Sequence, residues 1–192
     1  LISVTNTVSL LDVEDLNSYT QELVTLNFVE DTYDNLKAID SIDSNLVSMA
    51  DAALQVTDKV DLSKVNDLRS TTTSNITLDL LADSKENLGT INDFKIEQGV
   101  NGPINGDVIL SNTDITVTNV VNKEEADIIN GYNDVSGTVT LTSVTDLLEN
   151  VNALSSTAGI SIATSDLKVT DVTTLSDATD LDSYTTGEVT LD

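Results

Sequence analysis

The residues best suited to chemistry in this sequence are aspartates and asparagines that recur at a nearly fixed spacing. Each follows an apolar residue and one spacer, as in Val169-Thr170-Asp171. We call the seven residues of this pattern the column: Asn6, Asp31, Asp58, Asp83, Asn119, Asp146 and Asp171. The spacings between them are 25, 27, 25, 36, 27 and 25 residues, so the chain repeats about every 26 residues with one long interval.

Stacked column residues suggest two roles. As structural groups, they end a strand and turn the chain into the following helix without any ligand. As ligands, they would bind calcium, because neighbouring carboxylates repel one another unless a cation lies between them. The calcium candidates are the acidic members, Asp31, Asp58, Asp83, Asp146 and Asp171. No Asp-x-Asp-x-Asp-Gly loop or glycine-rich nonapeptide accompanies them, so the structural role is preferred and no other cofactor is expected.

The composition offers little for catalysis. The chain has no Cys and no His, which removes the usual zinc ligands, the imidazole base and the thiol nucleophile. Carboxylate pairs are so abundant that none stands out as a glycosidase pair, and no glycine-rich phosphate loop occurs. We therefore expect that the protein is not an enzyme.

The charge of the chain restricts its partners. It has 33 acidic and 8 basic residues, a net charge of -25, which nucleic-acid phosphates and anionic lipids repel. No apolar run approaches the length of a membrane span. We expect no nucleic-acid binding, no membrane span, and surroundings that contain salt or calcium to offset the charge.

Adjacent copies of the pattern alternate in character, which gives a larger unit of about 52 residues with an A half and a B half. The A halves cover 1–27, 54–79, 115–142 and 167–192. Each opens with strand-type alternation, continues into an amphipathic helix, and closes with a short strand such as Leu23-Val24-Thr25-Leu26. The predicted N-caps of these helices are Ser9, Asp61, Asn122 and Thr174.

Each B half begins with a column aspartate at a predicted helix start, as in Asp83-Ser84-Lys85-Glu86. Coils are predicted to start near residues 1, 27, 54, 79, 115, 142 and 167. The long interval contains an insertion at 94–107 with turn signals at Asn101-Gly102 and Asn105-Gly106, which we interpret as a surface loop. The predicted repeat core consists of Val4, Val56, Val117, Val169, Leu16, Leu68, Ile129, Leu181, Leu36, Leu88 and Val151.

The predicted fold is an α/β repeat. We expect one array over residues 1–192, a solenoid of ~26-residue strand-helix coils with parallel β ladders and alternating A and B halves. The alternative is a β-solenoid with short helices at its corners. A single coil cannot bury its own apolar stripe, so stability must lie between coils. Both ends of the sequence fall within a repeat, so we expect the array to belong to a longer chain.

The repeated blocks V-T-D-x-A/V-x-x-L and D-x-x-x-N-L carry a resemblance to known proteins. They are represented here by Val169-Thr170-Asp171 with Leu175, and by Asp83 with Asn87-Leu88. They resemble the degenerate repeats of very large bacterial cell-surface or secreted proteins, notably those of cyanobacteria. The resemblance covers nearly the whole chain and implies a structural component, but it transfers no site residues. The insertion at 94–107, and Lys123 at an expected apolar position, depart from the pattern.

These observations predict a structural repeat segment of an extracellular or cell-surface bacterial protein. It would act in a filament, surface layer or adhesin stalk, by self-association or as a spacer. The expected partners are further copies or further repeats of the same chain. One alternative is a carbohydrate- or protein-binding solenoid module that uses the 94–107 loop, with a glycan or protein ligand. Another is a viral fibre segment.

Overall fold

A computed structural model describes residues 2–96, 107–133, 136–171 and 174–192. Most of the predicted insertion, residues 97–106, lies outside these ranges. The strands are β1 (Ile2–Val8), β2 (Val24–Asp31), β3 (Val47–Ser48), β4 (Ala53–Val60), β5 (Ile76–Asp83), β6 (Val108–Ile109), β7 (Asp114–Val121), β8 (Val139–Asp146), β9 (Ile160–Ser161), β10 (Asp166–Val169) and β11 (Val189–Leu191). The helices are α1 (Leu10–Tyr19), α2 (Tyr33–Asp40), α3 (Leu62–Arg69), α4 (Lys85–Ile96), α5 (Lys123–Asn130), α6 (Leu148–Ser155) and α7 (Leu175–Asp182).

Long strands and helices alternate along the chain, and the strand pairs run parallel. The fold is therefore an alternating α/β arrangement of repeating β–α units with an all-parallel sheet, as the sequence predicts. We call β1–α1, β4–α3, β7–α5 and β10–α7 the A coils. The B coils are β2–α2–β3, β5–α4–β6 and β8–α6–β9, each of which has a short extra strand after its helix.

The chain divides into two compact units. The first contains Leu1–Leu80 and Thr90–Leu110, and the second contains Leu81–Gly89 and Ser111–Asp192. In the first unit the strand order is β1-β2-β4-β5, with β3 beside β2 and β6 beside β5. In the second unit the order is β7-β8-β10-β11, with β9 beside β8. Both units thus repeat the same sequence of A and B coils.

The strand of each B coil is longer than the sequence suggests. The pattern predicts a closing strand at 23–26 and a helix start at Asp31, whereas the structure has one continuous strand, β2. This strand has two partners on the same side. Its first half pairs with β3, with Val24 opposite Val47, and its second half pairs with β4. The strand continues beyond residue 26 because its second half, in which Val29 is buried, pairs with β4.

The core consists of aliphatic side chains between the strands and the helices. Val24, Leu26 and Val29 of β2 are buried, and so are Leu36 and Ile39 of α2. Nine of the predicted core residues are 0–2% exposed: Val56, Val117, Val169, Leu68, Ile129, Leu181, Leu36, Leu88 and Val151.

Two predicted core residues differ from the rest. Val4 and Leu16 are only half-buried, although both occupy the repeat positions that are buried elsewhere. The physical reason is that β1 is an edge strand in the described residues, so no coil covers its second side.

Candidate functional site

The column residues lie at or near the carboxyl ends of the strands. In the B coils, Asp31, Asp83 and Asp146 are the last residues of their strands. In the A coils, Asn6, Asp58 and Asn119 lie within β1, β4 and β7, and Asp171 follows β10.

A β-bulge lies at two of the A-coil members of the column, Asn6 and Asn119. The register of β1 against β2 shifts between Val4 and Thr7, and that of β7 against β8 shifts between Val117 and Val120. A bulge places an extra residue in one strand and turns the chain locally. As a result, the A-coil N-cap follows the column residue by three positions, as Asn122 follows Asn119.

The predicted N-caps of the A coils agree with the structure, whereas those of the B coils differ by one residue. Ser9, Asp61, Asn122 and Thr174 precede their helices as predicted. In the B coils the cap is the residue after the column aspartate, Thr32 in α2 and Leu147 in α6. The column aspartate is therefore not the N-cap of the helix that follows it, and its oxygens can accept other N–H groups.

Asp146 shows what the B-coil members do. Its Oδ1 accepts the backbone N–H of Leu147 and the side-chain amide of Asn150, both at 2.8 Å. Its Oδ2 accepts the backbone N–H of Lys123, the first residue of α5 in the preceding coil, also at 2.8 Å. One carboxylate thus fixes its own turn and holds the helix of its neighbour.

The same local arrangement recurs at the other two B-coil members. Asp31 accepts the N–H of Thr32 at 2.8 Å and the amide of Asn35 at 2.7 Å through Oδ1. It accepts the N–H of Leu10, the first residue of α1, at 2.9 Å through Oδ2. Asp83 makes the corresponding local bonds to the N–H of Ser84 and the amide of Asn87, both at 2.8 Å. The D-x-x-x-N block therefore encodes a turn that needs a carboxylate.

The A-coil members make a simpler contact. Asp58 Oδ1 accepts the N–H of Tyr33 at 2.6 Å, and Asp171 Oδ1 accepts the N–H of Leu148 at 2.8 Å. Asn119 Oδ1 accepts the N–H of Lys85 at 2.9 Å. In each case the donor is the first residue of the B-coil helix that precedes it in the chain. Because one oxygen is enough, an asparagine serves as well as an aspartate.

These contacts give the column its physical role. The first N–H groups of an α-helix have no partner within the helix, and the helix dipole favours negative charge there. The column residue of the next coil supplies an acceptor for α1, α2, α4, α5 and α6. The column therefore links successive coils by hydrogen bonds at their helix starts.

The pKa values of two column residues reflect these bonds. Burial raises the pKa of Asp31, but the hydrogen bonds from Leu10, Asn35 and Thr32 together outweigh burial and hold the pKa below its ordinary value. Burial likewise raises the pKa of Asp146, and the bonds from Asn150, Lys123 and Leu147 bring it below the ordinary value. Both side chains are therefore ionised at neutral pH.

A second set of coil-to-coil bonds lies near the other end of the strands and was not predicted. The Thr72 hydroxyl donates to the carbonyl oxygen of Ala52 at 2.6 Å, and the Thr185 hydroxyl donates to that of Ser165 at 2.6 Å. The Asn133 amide donates to the carbonyl of Thr113 at 2.8 Å. The three donors are buried.

A sequence signal for this second set does exist. The three donors stand four residues after the last buried apolar residue of their A-coil helices, and Thr20 stands four residues after Leu16. An alignment of the A halves therefore brings them into one position. Their significance is hidden because Thr and Asn are also ordinary turn residues.

The geometry of the column bears on the calcium prediction. In the bonds described above, the carboxylate oxygens face N–H groups, which occupy the positions that a cation would take. Within the described ranges, no three acidic side chains converge in a way that could hold a metal ion. Calcium binding at the column remains a prediction.

None of the helices in the described part of the chain has the length and apolar character needed to cross a membrane. No protein-family model matches the sequence. Comparisons with curated proteins and with solved structures likewise find no significant similarity.

Proposed function

We propose that the chain is a structural repeat segment of an extracellular bacterial surface protein. In this proposal its coils form a solenoid of ~26-residue units, in which A and B coils alternate with a period of about 52 residues. The array acts as a spacer or as a self-associating unit in a stalk, filament or surface layer. The protein is not an enzyme in this proposal.

One observation carries the proposal: the polar residues that recur along the chain bond to the neighbouring coil. Asp146 uses one oxygen for its own turn and the other for α5, and Thr185 uses its hydroxyl for the carbonyl of Ser165. The recurring polar side chains therefore join one coil to the next by hydrogen bonds. This use suits a protein whose task is to extend and to hold its shape.

The charge and the sequence resemblance support the location. A net charge of -25 keeps such arrays soluble and is tolerated where salt screens it. The V-T-D and D-x-x-x-N-L blocks resemble repeats of large bacterial surface or secreted proteins. Both considerations favour the cell exterior.

The spacer role can be tested by lengthening the array in phase. A second copy of residues 24–75, one B coil and one A coil, is inserted after Asn75. The new junction, Asn75 to Val24, reproduces the native step from Asn75 to Ile76, because Val24 and Ile76 both begin B-coil strands. The protein should fold, and small-angle X-ray scattering should show a maximum dimension greater by about 10 Å, two strand spacings.

A matched control duplicates only residues 53–75, which places one A coil directly after another. The helix of the first A coil then faces Asp58, which lies within its strand, instead of a B-coil aspartate at the end of a strand, so we expect lower thermal stability. If the in-phase insertion unfolds the protein or leaves its dimension unchanged, the proposal is wrong. Sedimentation velocity over a range of concentrations then distinguishes a spacer, which stays monomeric, from a self-associating unit.

A further inference from the structure

We infer that the open side of the first A coil, formed by β1 and α1, is a binding surface for a B coil of the same repeat. The inference rests on the proposed function and names the partner that the array accepts at this edge. It follows from comparison with A coils whose corresponding side is covered. In the first unit, β2 and α2 cover that side of β4 and α3.

The hydrogen-bonding groups of this surface match those of the covered A coils. Asn6 lies in a bulge of β1 that corresponds to the bulge of β7 at Asn119. The Oδ1 of Asn119 accepts the first helical N–H of α4. No donor to Asn6 is found among the described residues. Thr20 accepts the N–H of Glu22, as Thr72 accepts that of Ser74. Thr72 also donates to the carbonyl of a preceding B coil, a bond that Thr20 lacks within the described ranges.

Side chains of this surface are exposed at positions where the covered A coils have buried or half-buried side chains. Ile2 is 39% exposed, whereas Leu54, at the same position of the next A coil, is fully buried. Tyr19 is 87% exposed. Tyr132, at the same position of another A coil, is half-buried and places its hydroxyl close to Gly89 of α4.

The charge of the surface indicates which B coil fits. Asp15 occupies the position of Asp67, which accepts the Tyr33 hydroxyl at 2.6 Å and pairs with Lys37 at 3.4 Å. A B-coil helix with tyrosine and lysine at these positions would make the same contacts to Asp15. The helix α2 has both, so the B coil of residues 24–52 is the matching probe.

The experiment fuses a second copy of residues 24–52 in front of Leu1. Ala52 then precedes Leu1 as it precedes Ala53 in the native chain, so the added coil enters β1 in the native register. Hydrogen exchange is measured on the amides of β1 in the parent protein and in the fusion. We expect exchange of these amides to slow by roughly tenfold or more, because the strand gains a second partner.

Two matched controls define the contact. A fusion with the same 29 residues in scrambled order should give no protection. The substitution Asn6→Ala should leave exchange unchanged in the parent protein and reduce the gained protection by roughly fivefold in the fusion, the effect of one net hydrogen bond. A second fusion, with the B coil of residues 139–165, replaces the lysine-containing helix by α6 and should protect β1 less.

Unchanged exchange in both fusions would overturn the inference. The proposed function is tested separately by the internal insertion after Asn75. If that insertion lengthens the particle while both fusions leave β1 unprotected, the inference fails and the proposed function stands.

Discussion

At the scale of single residues, the choice between aspartate and asparagine in the column follows from the number of donors. The B-coil member Asp146 receives N–H groups on both oxygens, and a carboxylate has two acceptor oxygens. The A-coil member Asp171 receives its donor on one oxygen, as Asn119 does. The three B-coil positions are all aspartate, whereas two of the four A-coil positions are asparagine.

Exchanging an aspartate for asparagine should therefore cost more unfolding free energy in a B coil than in an A coil. Asp146→Asn turns an NH₂ group toward the N–H of Lys123 or of Leu147, and we expect a loss of about 1–2 kcal/mol in unfolding free energy. Asp171→Asn should change it by less than about 0.5 kcal/mol, because one oxygen remains for Leu148. Urea unfolding of both variants measures the difference. Equal losses would contradict the assignment of donors.

The loss of unfolding free energy caused by Asp146→Asn should also depend on pH. Hydrogen bonds hold the pKa of Asp146 below its ordinary value of 3.8. A depressed pKa in the folded state contributes stability that is present above the ordinary pKa and is lost as the pH falls through the folded pKa. The difference in stability between the wild-type protein and the variant should be full at pH 7 and shrink below about pH 4. Thermal unfolding of both proteins from pH 7 to pH 3 tests this, and a constant difference would refute it.

The sequence located the column but could not show its partners. The recurrence of Asp and Asn after an apolar residue is visible in one dimension, and so is the D-x-x-x-N block. The donor that reaches Asp31 from the neighbouring coil, the N–H of Leu10, is 21 residues away and belongs to the backbone. Backbone donors have no residue identity, so a contact of this kind leaves no mark at the donor position in the sequence.

At the scale of elements, helix starts were better predicted than strand ends. The A-coil caps Asn122 and Thr174 were found because each stands three residues before an acidic side chain that returns to its backbone. The strand at 23–26 was predicted too short, because its extension to Asp31 depends on pairing with β4, which only the stacking of coils shows. Val4 and Leu16 were placed in the core because periodicity does not show which strand lies at an edge.

Close approach between coils leaves no room for a side chain at Gly187. A Cβ atom on Gly187 would lie 2.2 Å from the carbonyl oxygen of Ser165, and backbone cannot move aside easily. Gly187→Ala should lower the unfolding free energy by about 1–3 kcal/mol. The control is Gly89→Ala in α4, where the nearest atom, the Tyr132 hydroxyl, is 3.7 Å away.

Alanine at position 89 should instead stabilise the protein by about 0.5–1 kcal/mol through its helix propensity. Thermal unfolding of both glycine variants gives the comparison. If Gly187→Ala is as stable as the wild-type protein, the coils are not as close as the structure places them.

At the scale of the whole molecule, electrostatic repulsion opposes the packing of the coils. The chain has 8 basic residues for 33 acidic ones, and some of the lysines are already paired, as Lys85 is with Glu125 at 2.6 Å. Salt shortens the range of repulsion from about 30 Å at 0.01 M to about 3 Å at 1 M. We therefore expect the melting temperature to rise with sodium chloride over this range.

Divalent cations provide the test of calcium binding. If the column residues act through N–H donors, calcium and magnesium chloride at equal concentrations should raise the melting temperature equally. The measurement is a thermal scan against each salt. A rise that saturates with calcium alone would show a specific site and would restore the calcium candidates among the column residues.

The alternation of A and B coils has a consequence for heredity. Genes for repeats grow and shrink by unequal recombination between similar stretches of DNA. An exchange that adds one coil would set two coils of the same kind side by side, a junction that the alternation of A and B coils in this chain does not contain. An exchange that adds a pair preserves every junction. Lineages that carry this repeat should therefore differ in length by even numbers of coils.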